Sequence, residues 1–255
     1  MTVDNQPSYL NAPAGHRIAY RRLEGEGPGL VFFGGFRSDM TGSKATFLED
    51  YARRRGCAFL RFDYFGHGAS DGSYEDGTIG LWREDCLAVL DELTQGPQVF
   101  IGSSMGGWLM LLAALARPEK AAALVGIAPA PDFTEELMWP AFDAESRALL
   151  ERNGRLTLPS AYDSEPTVVT HRLIEESRAH LLLHSTIPLD QPVRLVHGLA
   201  DPDVPYELSL RLATTLRSKD VTITLVKGGD HRLSTAEDLG RLARVLDQLF
   251  ASGRV

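Results

Sequence analysis

Six apolar runs, separated by stretches of helical spacing, constrain this chain more than any other feature. They are GLVFFGG (29–35), CAFLRFD (57–63), PQVFIGS (97–103), AALVGIA (122–128), PVRLVHG (192–198) and VTITLV (221–226). A strand with one wet face alternates apolar and polar residues, whereas a strand covered on both faces need not. Most of these runs are continuous, so they predict strands buried on both sides. Residues 43–55, 78–94, 104–116, 204–217 and 234–251 carry helical spacing. Alternation of the two patterns predicts an α/β fold, a mostly parallel central sheet with helices on both faces. HRIAYRRL (16–23) alternates better and reads as an edge strand. In the last helix Ser234 and Glu237 have capping-box spacing.

One interval breaks the rhythm. Between Ile127 and Pro192 no strand is evident, only TEELMWPAFDAESRALLERNG and TVVTHRLIEESRAHLLLH. Structureless loops longer than about 15 residues are uncommon. Both stretches have helical spacing, which predicts a helical lid insertion over about 130–190, packed on one end of the sheet. No linker or repeat divides the rest, so residues 1–255 read as a single domain.

Charge and composition exclude several classes. The net charge is −8, from 26 Lys+Arg against 34 Asp+Glu, with no basic cluster to track phosphates, so nucleic acid is not an expected partner. The apolar run Met105–Ala116 falls well short of the roughly 18 residues of a membrane span. Cys57 and Cys86 form neither a disulfide framework nor a metal signature and read as buried thiols. MTVDNQPSYLNAPAG has no basic start and no apolar stretch, so the expected location is cytoplasmic. Nothing in the composition sets an oligomeric state.

The chemistry begins at GSSMGGW (102–108). G-x-S-x-G fits in one frame, with Ser104 central; Ser103 would need glycines where Ile101 and Met105 stand. The motif follows strand QVFI and opens helix MGGWLMLLAALA, the strand–turn–helix context of a nucleophile elbow. A serine hydroxyl needs a base, and chain order places acid and base after later strands. His231, in VTITLVKGGDHRLS, follows the last strand, and Asp201, in LVHGLADPDVP, follows the one before, with Asp203 as a rival. His197 on the strand end reads as a structural, hydrogen-bonded residue, as do His16 and His67. His180 and His184 have i, i+4 spacing without an evident third ligand, so no metal is expected. The oxyanion hole needs two backbone N–H groups: Met105, after the nucleophile, and Phe36, after Gly34-Gly35. Arg37, next to Phe36, is a candidate for a carboxylate on the leaving group; its alternative partner is a nearby acid such as Asp39. Phe133, Leu137, Met138, Trp139 and Phe142 supply apolar area in the insertion, with Trp139 the candidate substrate-binding residue.

These motifs resemble the α/β-hydrolase superfamily, and within it acyl-protein thioesterases and acyl-glucuronide esterases. SDMTGSKA, RFDYFGHGASDG, GSSMGGWLMLLAALARPEK, LLLHSTIPLD, RLVHGLADPDVP and GGDHRLS carry the resemblance, which runs from about Gly15 onward and is weakest over 130–165. It implies a serine hydrolase with Ser104 as nucleophile, Asp201 as acid and His231 as base, and gives Asp203 no catalytic role. It implies no cofactor, and a small-molecule acyl ester or S-acylated partner as substrate. The absence of a transit-like leader suits a bacterial relative, and Arg37 departs from an apolar position in that group. The competing expectation is a non-catalytic small-ligand-binding protein on the same fold.

Overall fold

The computed structural model describes residues 6–159 and 166–253. Its strands are β1 (Ser8–Asn11), β2 (Arg17–Leu23), β3 (Glu26–Phe33), β4 (Cys57–Phe62), β5 (Gln98–Ser103), β6 (Ala121–Ile127), β7 (Arg155–Leu158), β8 (Thr167–Thr170), β9 (Val193–Gly198) and β10 (Val221–Val226). Its α-helices are α1 (Ser43–Arg55), α2 (Ile79–Leu93), α3 (Met105–Ala116), α4 (Trp139–Ala141), α5 (Ala144–Asn153), α6 (His171–Ser177), α7 (Glu207–Thr215) and α8 (Ala236–Ala251). Eight strands make one sheet in the order β1-β2-β4-β3-β5-β6-β9-β10. From β4 to β10 every pairing is parallel; β1–β2 and β2–β4 are antiparallel.

The continuous apolar runs separate by side-chain parity. In β3, Val31 and Phe33 join the core under α2 and α3, while Leu30 and Phe32 join the core under α1 and α8. In β5, Phe100 faces the first and Val99 and Ile101 the second. A period of 2 on a continuous apolar run thus fills both layers. The helices seal them: Leu109 and Leu112 of α3 on one side, Leu48 of α1 and Leu242, Leu246 and Leu249 of α8 on the other. Burying each such leucine contributes about 1.5–3 kcal/mol.

The expected strands and the five helices outside the insertion are present, with three corrections. The edge strand is β1, not β2, which lies one position in. SYLN is too short and polar to announce itself; its pairing with Arg17–Tyr20 defines it. The insertion is not wholly helical: β7 and β8 pair antiparallel from Arg155↔Thr170 to Leu158↔Thr167. RLTL and TVVT are β-branched and leucine-rich, but a four-residue strand carries no clear period. A π-helical turn, Thr134–Met138, leads into α4. Finally, the capping box of α8 is one residue later than its expected position. Thr235 Oγ1 accepts from Asp238 N at 3.2 Å and Thr235 N donates to Asp238 Oδ2 at 3.2 Å. Ser234 and Glu237 have the same spacing, and side-chain spacing alone does not separate the two registers.

The box predicts that Thr235→Ala lowers stability by about 1 kcal/mol, while Ser234→Ala stays within about 0.5 kcal/mol. Chemical denaturation of the two variants checks this, and equal losses would contradict the assignment.

Candidate active site

A parallel sheet sends its loops to the carboxyl ends of the strands, where ligand sites form. Ser104 lies immediately past β5, Phe36 past β3, Asp201 past β9 and His231 past β10. Ser104 alone carries the chain from β5 into α3, at φ 54° and ψ −122°. A non-glycine residue at positive φ costs about 1–3 kcal/mol and persists only when its surroundings hold it. Here Ser104 N donates to Ile127 O at 3.0 Å, and Ser104 O accepts from Gly107 N at 2.8 Å and Ala130 N at 3.0 Å. The flanking glycines are steric requirements. A Cβ on Gly106 would lie 2.1 Å from Phe33 O, and one on Gly102 would lie 2.4 Å from Gly106 O.

Ser104 also occupies the N-cap position of α3, where a serine ordinarily bonds the first-turn N–H groups. It makes no side-chain cap bond. Its Oγ lies 3.0 Å from His231 Nε2, and His231 Nδ1 lies 2.8 Å from Asp201 Oδ2. The carboxylate only accepts, so His231 carries its proton on Nδ1 and turns the Nε2 lone pair to the serine. The three expected residues thus form one hydrogen-bonded line. Asp203 lies beside it: its backbone N–H donates to Asp201 Oδ1 at 2.9 Å, as does Val204 N at 2.9 Å, and its carboxylate comes within 4.8 Å of the Asp201 and His231 polar atoms. Asp230 accepts from Leu233 N at 2.9 Å, holding the base loop. Lys44 Nζ donates to Arg232 O in the same loop.

Burial of the Asp201 side chain pushes its carboxyl upward. Bonds from His197 and His231 and the Val204 N–H outweigh that and hold it below the usual carboxylate range. His197 is the fully buried strand-end residue expected from the sequence. Its Nε2 lies 2.9 Å from Val204 O and 3.3 Å from Asp201 Oδ2, and its Nδ1 lies 2.7 Å from Ser209 Oγ.

Met105 N opens α3, and Gly35 packs so closely that a Cβ there would lie 3.5 Å from Ser104 Cβ. Among the described residues, neither the Met105 nor the Phe36 N–H has a protein acceptor. Arg37 is engaged with the insertion: a terminal guanidinium nitrogen donates to Thr167 Oγ1 at 2.6 Å, and the group lies 5.2 Å from the Tyr74 ring centroid. Tyr74 Oη in turn accepts from Val168 N at 3.0 Å. The aromatic of the insertion that reaches Phe36 is Phe133, with centroids 6.0 Å apart, and it also meets Trp108 at 5.8 Å. Trp139 instead packs with Phe142, Leu150, Val169 and Ile174, under the guanidinium groups of Arg147 and Arg178 at 4.9 and 5.2 Å. Helical spacing places both aromatics in the insertion but does not say which one turns toward the sheet.

Asp132, Glu136 and His184 also converge, a grouping that the His180/His184 spacing does not reveal. Asp132 accepts from Leu182 N and Leu183 N, Glu136 pairs with Arg211 at 2.6 Å, and His180 pairs with Glu176 at 2.9 Å. The Glu136–Arg211 pair joins the insertion to the body, and the other bonds hold the insertion's own segments together. His67, read from sequence as merely structural, accepts from Arg37 N at 3.1 Å and so touches the loop that carries Phe36. Its place in the G-H-G turn after β4 was the available signal.

The sequence profile of the Alpha/beta hydrolase family matches residues 30–247. The chain is 44% identical over 244 residues to the mouse protein named palmitoyl-protein thioesterase ABHD10, mitochondrial, covering 95% of this chain and 82% of that one. The human protein of that name is 42% identical over 244 residues, covering 95% and 79%. Among solved structures, mouse alpha/beta hydrolase domain-containing protein 10 superposes with a TM-score of 0.90 at 43% identity, covering 97% and 99%. A putative hydrolase from Agrobacterium vitis superposes with a TM-score of 0.92 at 38% identity, covering 95% and 98%. No helix among the described residues is long and apolar enough to cross a membrane. By profile, sequence and superposition, the chain belongs to the alpha/beta hydrolase family.

Proposed function

We propose that the chain hydrolyses acyl thioesters and carboxylic esters through an acyl-enzyme on Ser104, with His231 as base and Asp201 as the acid that orients it. The hydrogen-bonded line from Asp201 through His231 to Ser104 is the observation that carries this reading. Ser104 Oγ attacks the acyl carbonyl as its proton passes to His231 Nε2. The carbonyl oxygen takes the negative charge and is held by the Phe36 and Met105 N–H groups. As the tetrahedral intermediate collapses, the C–S or C–O bond breaks and the leaving sulfur or oxygen takes the proton from His231. Water then gives a proton to Nε2 and attacks the acyl-serine, and the acid leaves with Ser104 restored. Asp201 stays ionised throughout and stabilises the imidazolium. A non-catalytic ligand binder is set aside by membership of a hydrolase family with relatives named as thioesterases.

The preferred substrate is an S-acylated partner with a fatty chain, in keeping with the relatives' names. The insertion serves as a lid, with Phe133 as the wall between Phe36 and Trp108. Trp139 stabilises the lid's own small core. Contacts to Thr167 and Tyr74 favour a role for Arg37 in holding the lid to the oxyanion loop over one in binding a leaving-group carboxylate. The two free, buried cysteines fit a reducing compartment, and cytoplasmic location remains part of the reading beside relatives named as mitochondrial.

Ser104→Ala should abolish turnover and labelling by a fluorophosphonate, while Ser103→Ala, on the buried end of β5, should retain most of both. An active Ser104→Ala would end the reading. Asp201→Asn should lower kcat by up to about 10⁴-fold, as loss of the orienting carboxylate does in a serine protease. Asp203→Asn should change it only a few-fold, and the reverse ranking would reassign the acid. On a series of p-nitrophenyl and S-acyl esters of graded chain length, Phe133→Ala should shift the preferred length. Trp139→Ala should lower the denaturation midpoint with the preference unchanged; a preference that moves with Trp139 instead would place the acyl wall elsewhere.

A further inference from the structure

His67 lies in the turn after β4, in DYFGHGAS, and is 3% exposed. Its ring stands edge-on to Phe36, Tyr64 and Trp82, with centroids 6.5, 5.6 and 5.2 Å away. Both ring nitrogens face backbone atoms whose roles are fixed. Phe65 O, 3.1 Å from Nδ1, only accepts; Arg37 N, 3.1 Å from Nε2, only donates. A single neutral tautomer satisfies both, with the proton on Nδ1 and a lone pair on Nε2. A charged ring would set an N–H against an N–H. Burial lowers the pKa of this histidine and so favours the neutral form.

The partner on the other side is strained. Gly35 to Ser38 is a turn closed by Ser38 N donating to Gly35 O at 3.1 Å. Arg37 holds its third position at φ 58°, where a type II turn needs positive φ and favours glycine. Rotating the Phe36–Arg37 peptide by half a turn would return Arg37 to the ordinary negative φ of a type I turn. It would also swing the Arg37 N–H away from His67. Neighbouring bonds hold the rest of the loop: Tyr64 Oη donates to Gly34 O at 3.1 Å and Ser38 Oγ to Gly35 O at 2.8 Å. Neither restrains the central peptide.

We infer that His67 is a positioning residue for the oxyanion hole: its Nε2 accepts the Arg37 N–H and its ring packs against Phe36, and together these anchor the Gly35–Ser38 turn that carries the proposed Phe36 donor. Phe36 is then held twice, by its ring against the imidazole and by the peptide that follows it. This inference rests on the proposed oxyanion role of Phe36.

The test compares His67→Phe, which keeps a ring and removes the acceptor, with His67→Gln, whose Oε1 can accept at a similar reach. His67→Phe should lower kcat about 10- to 100-fold, less than the roughly 10²–10³-fold cost of deleting a whole oxyanion donor. KM should stay within about two-fold, since a transition-state interaction is lost rather than uniform binding. His67→Gln should recover most of kcat. Equal losses in both variants, or a loss confined to KM, would overturn the positioning role. Ser104→Ala is measured alongside: an active Ser104→Ala sinks the hydrolase reading itself, whereas an inactive one beside a fully active His67→Phe sinks the positioning role alone. Should His67→Phe fail to fold, ¹H–¹⁵N ring correlations of the wild-type protein decide, assigned against His67→Gln. A neutral ring protonated on Nδ1 is expected, and a ring protonated on Nε2 would overturn the inference.

Discussion

Ser104 is the only residue between β5 and α3, and at φ 54° it makes the turn that projects its side chain off the end of the sheet. That conformation is unfavourable for a serine in isolation. It survives because Ile127 O, Gly107 N and Ala130 N hold the peptide on both sides, and because Gly102 and Gly106 leave room where any Cβ would strike backbone. The same geometry withdraws the hydroxyl from the capping bond an N-terminal serine would otherwise make and leaves it 3.0 Å from His231 Nε2. Strain, packing and proposed reactivity therefore meet at one residue. Relaxing the turn would return Ser104 to an ordinary cap and leave His231 without its partner.

The sheet supplies the rest by topology. Parallel strands β3, β5, β9 and β10 end at one edge, so residues 30 and 127 positions apart in the chain come within hydrogen-bond distance. Each loop is then pinned by its own bonds. Val204 N and Asp203 N fix the Asp201 carboxylate, and buried His197 braces the same loop from the strand end. The turn after β4 plays the matching part for the loop that carries Phe36, the proposed oxyanion donor. Asp63, pushed up to about 6 by burial, accepts Met40 N, while Tyr64 bonds Gly34 O and His67 takes Arg37 N. Fixed donors around a developing charge avoid reorganisation during reaction, the usual source of large electrostatic effects in such sites.

What the sequence disclosed follows from where the constraints lie. The apolar runs of β3, β5 and β6 are recognisable because two covered faces leave little place for polar residues, and the G-x-S-x-G frame is unique because Ile101 and Met105 exclude Ser103. His231 follows from strand order, which leaves Asp201 and Asp203 as rivals; the family resemblance separates those two. The short elements were not legible: β1, β7 and β8 have four residues each and are defined by their pairing partners. The capping box of α8 slipped by one because Ser234-Thr235 and Glu237-Asp238 offer two chemically equivalent registers. Trp139 and Phe133 are alike in sequence and differ in which core they enter, a fact of tertiary packing. His67 reads only as structural because its partner across the site is a backbone N–H, which no side-chain motif records.

The proposed mechanism requires that acyl groups pass covalently through Ser104. Rapid acid quench of the enzyme turning over a long-chain S-acyl substrate, followed by fragment-resolved mass spectrometry of the peptide spanning Gly102–Trp108, tests it directly. One acyl mass is expected, on Ser104 and not Ser103, formed and lost at rates that match turnover. Turnover without an acylated serine, or acylation of a different residue at a competent rate, would contradict it.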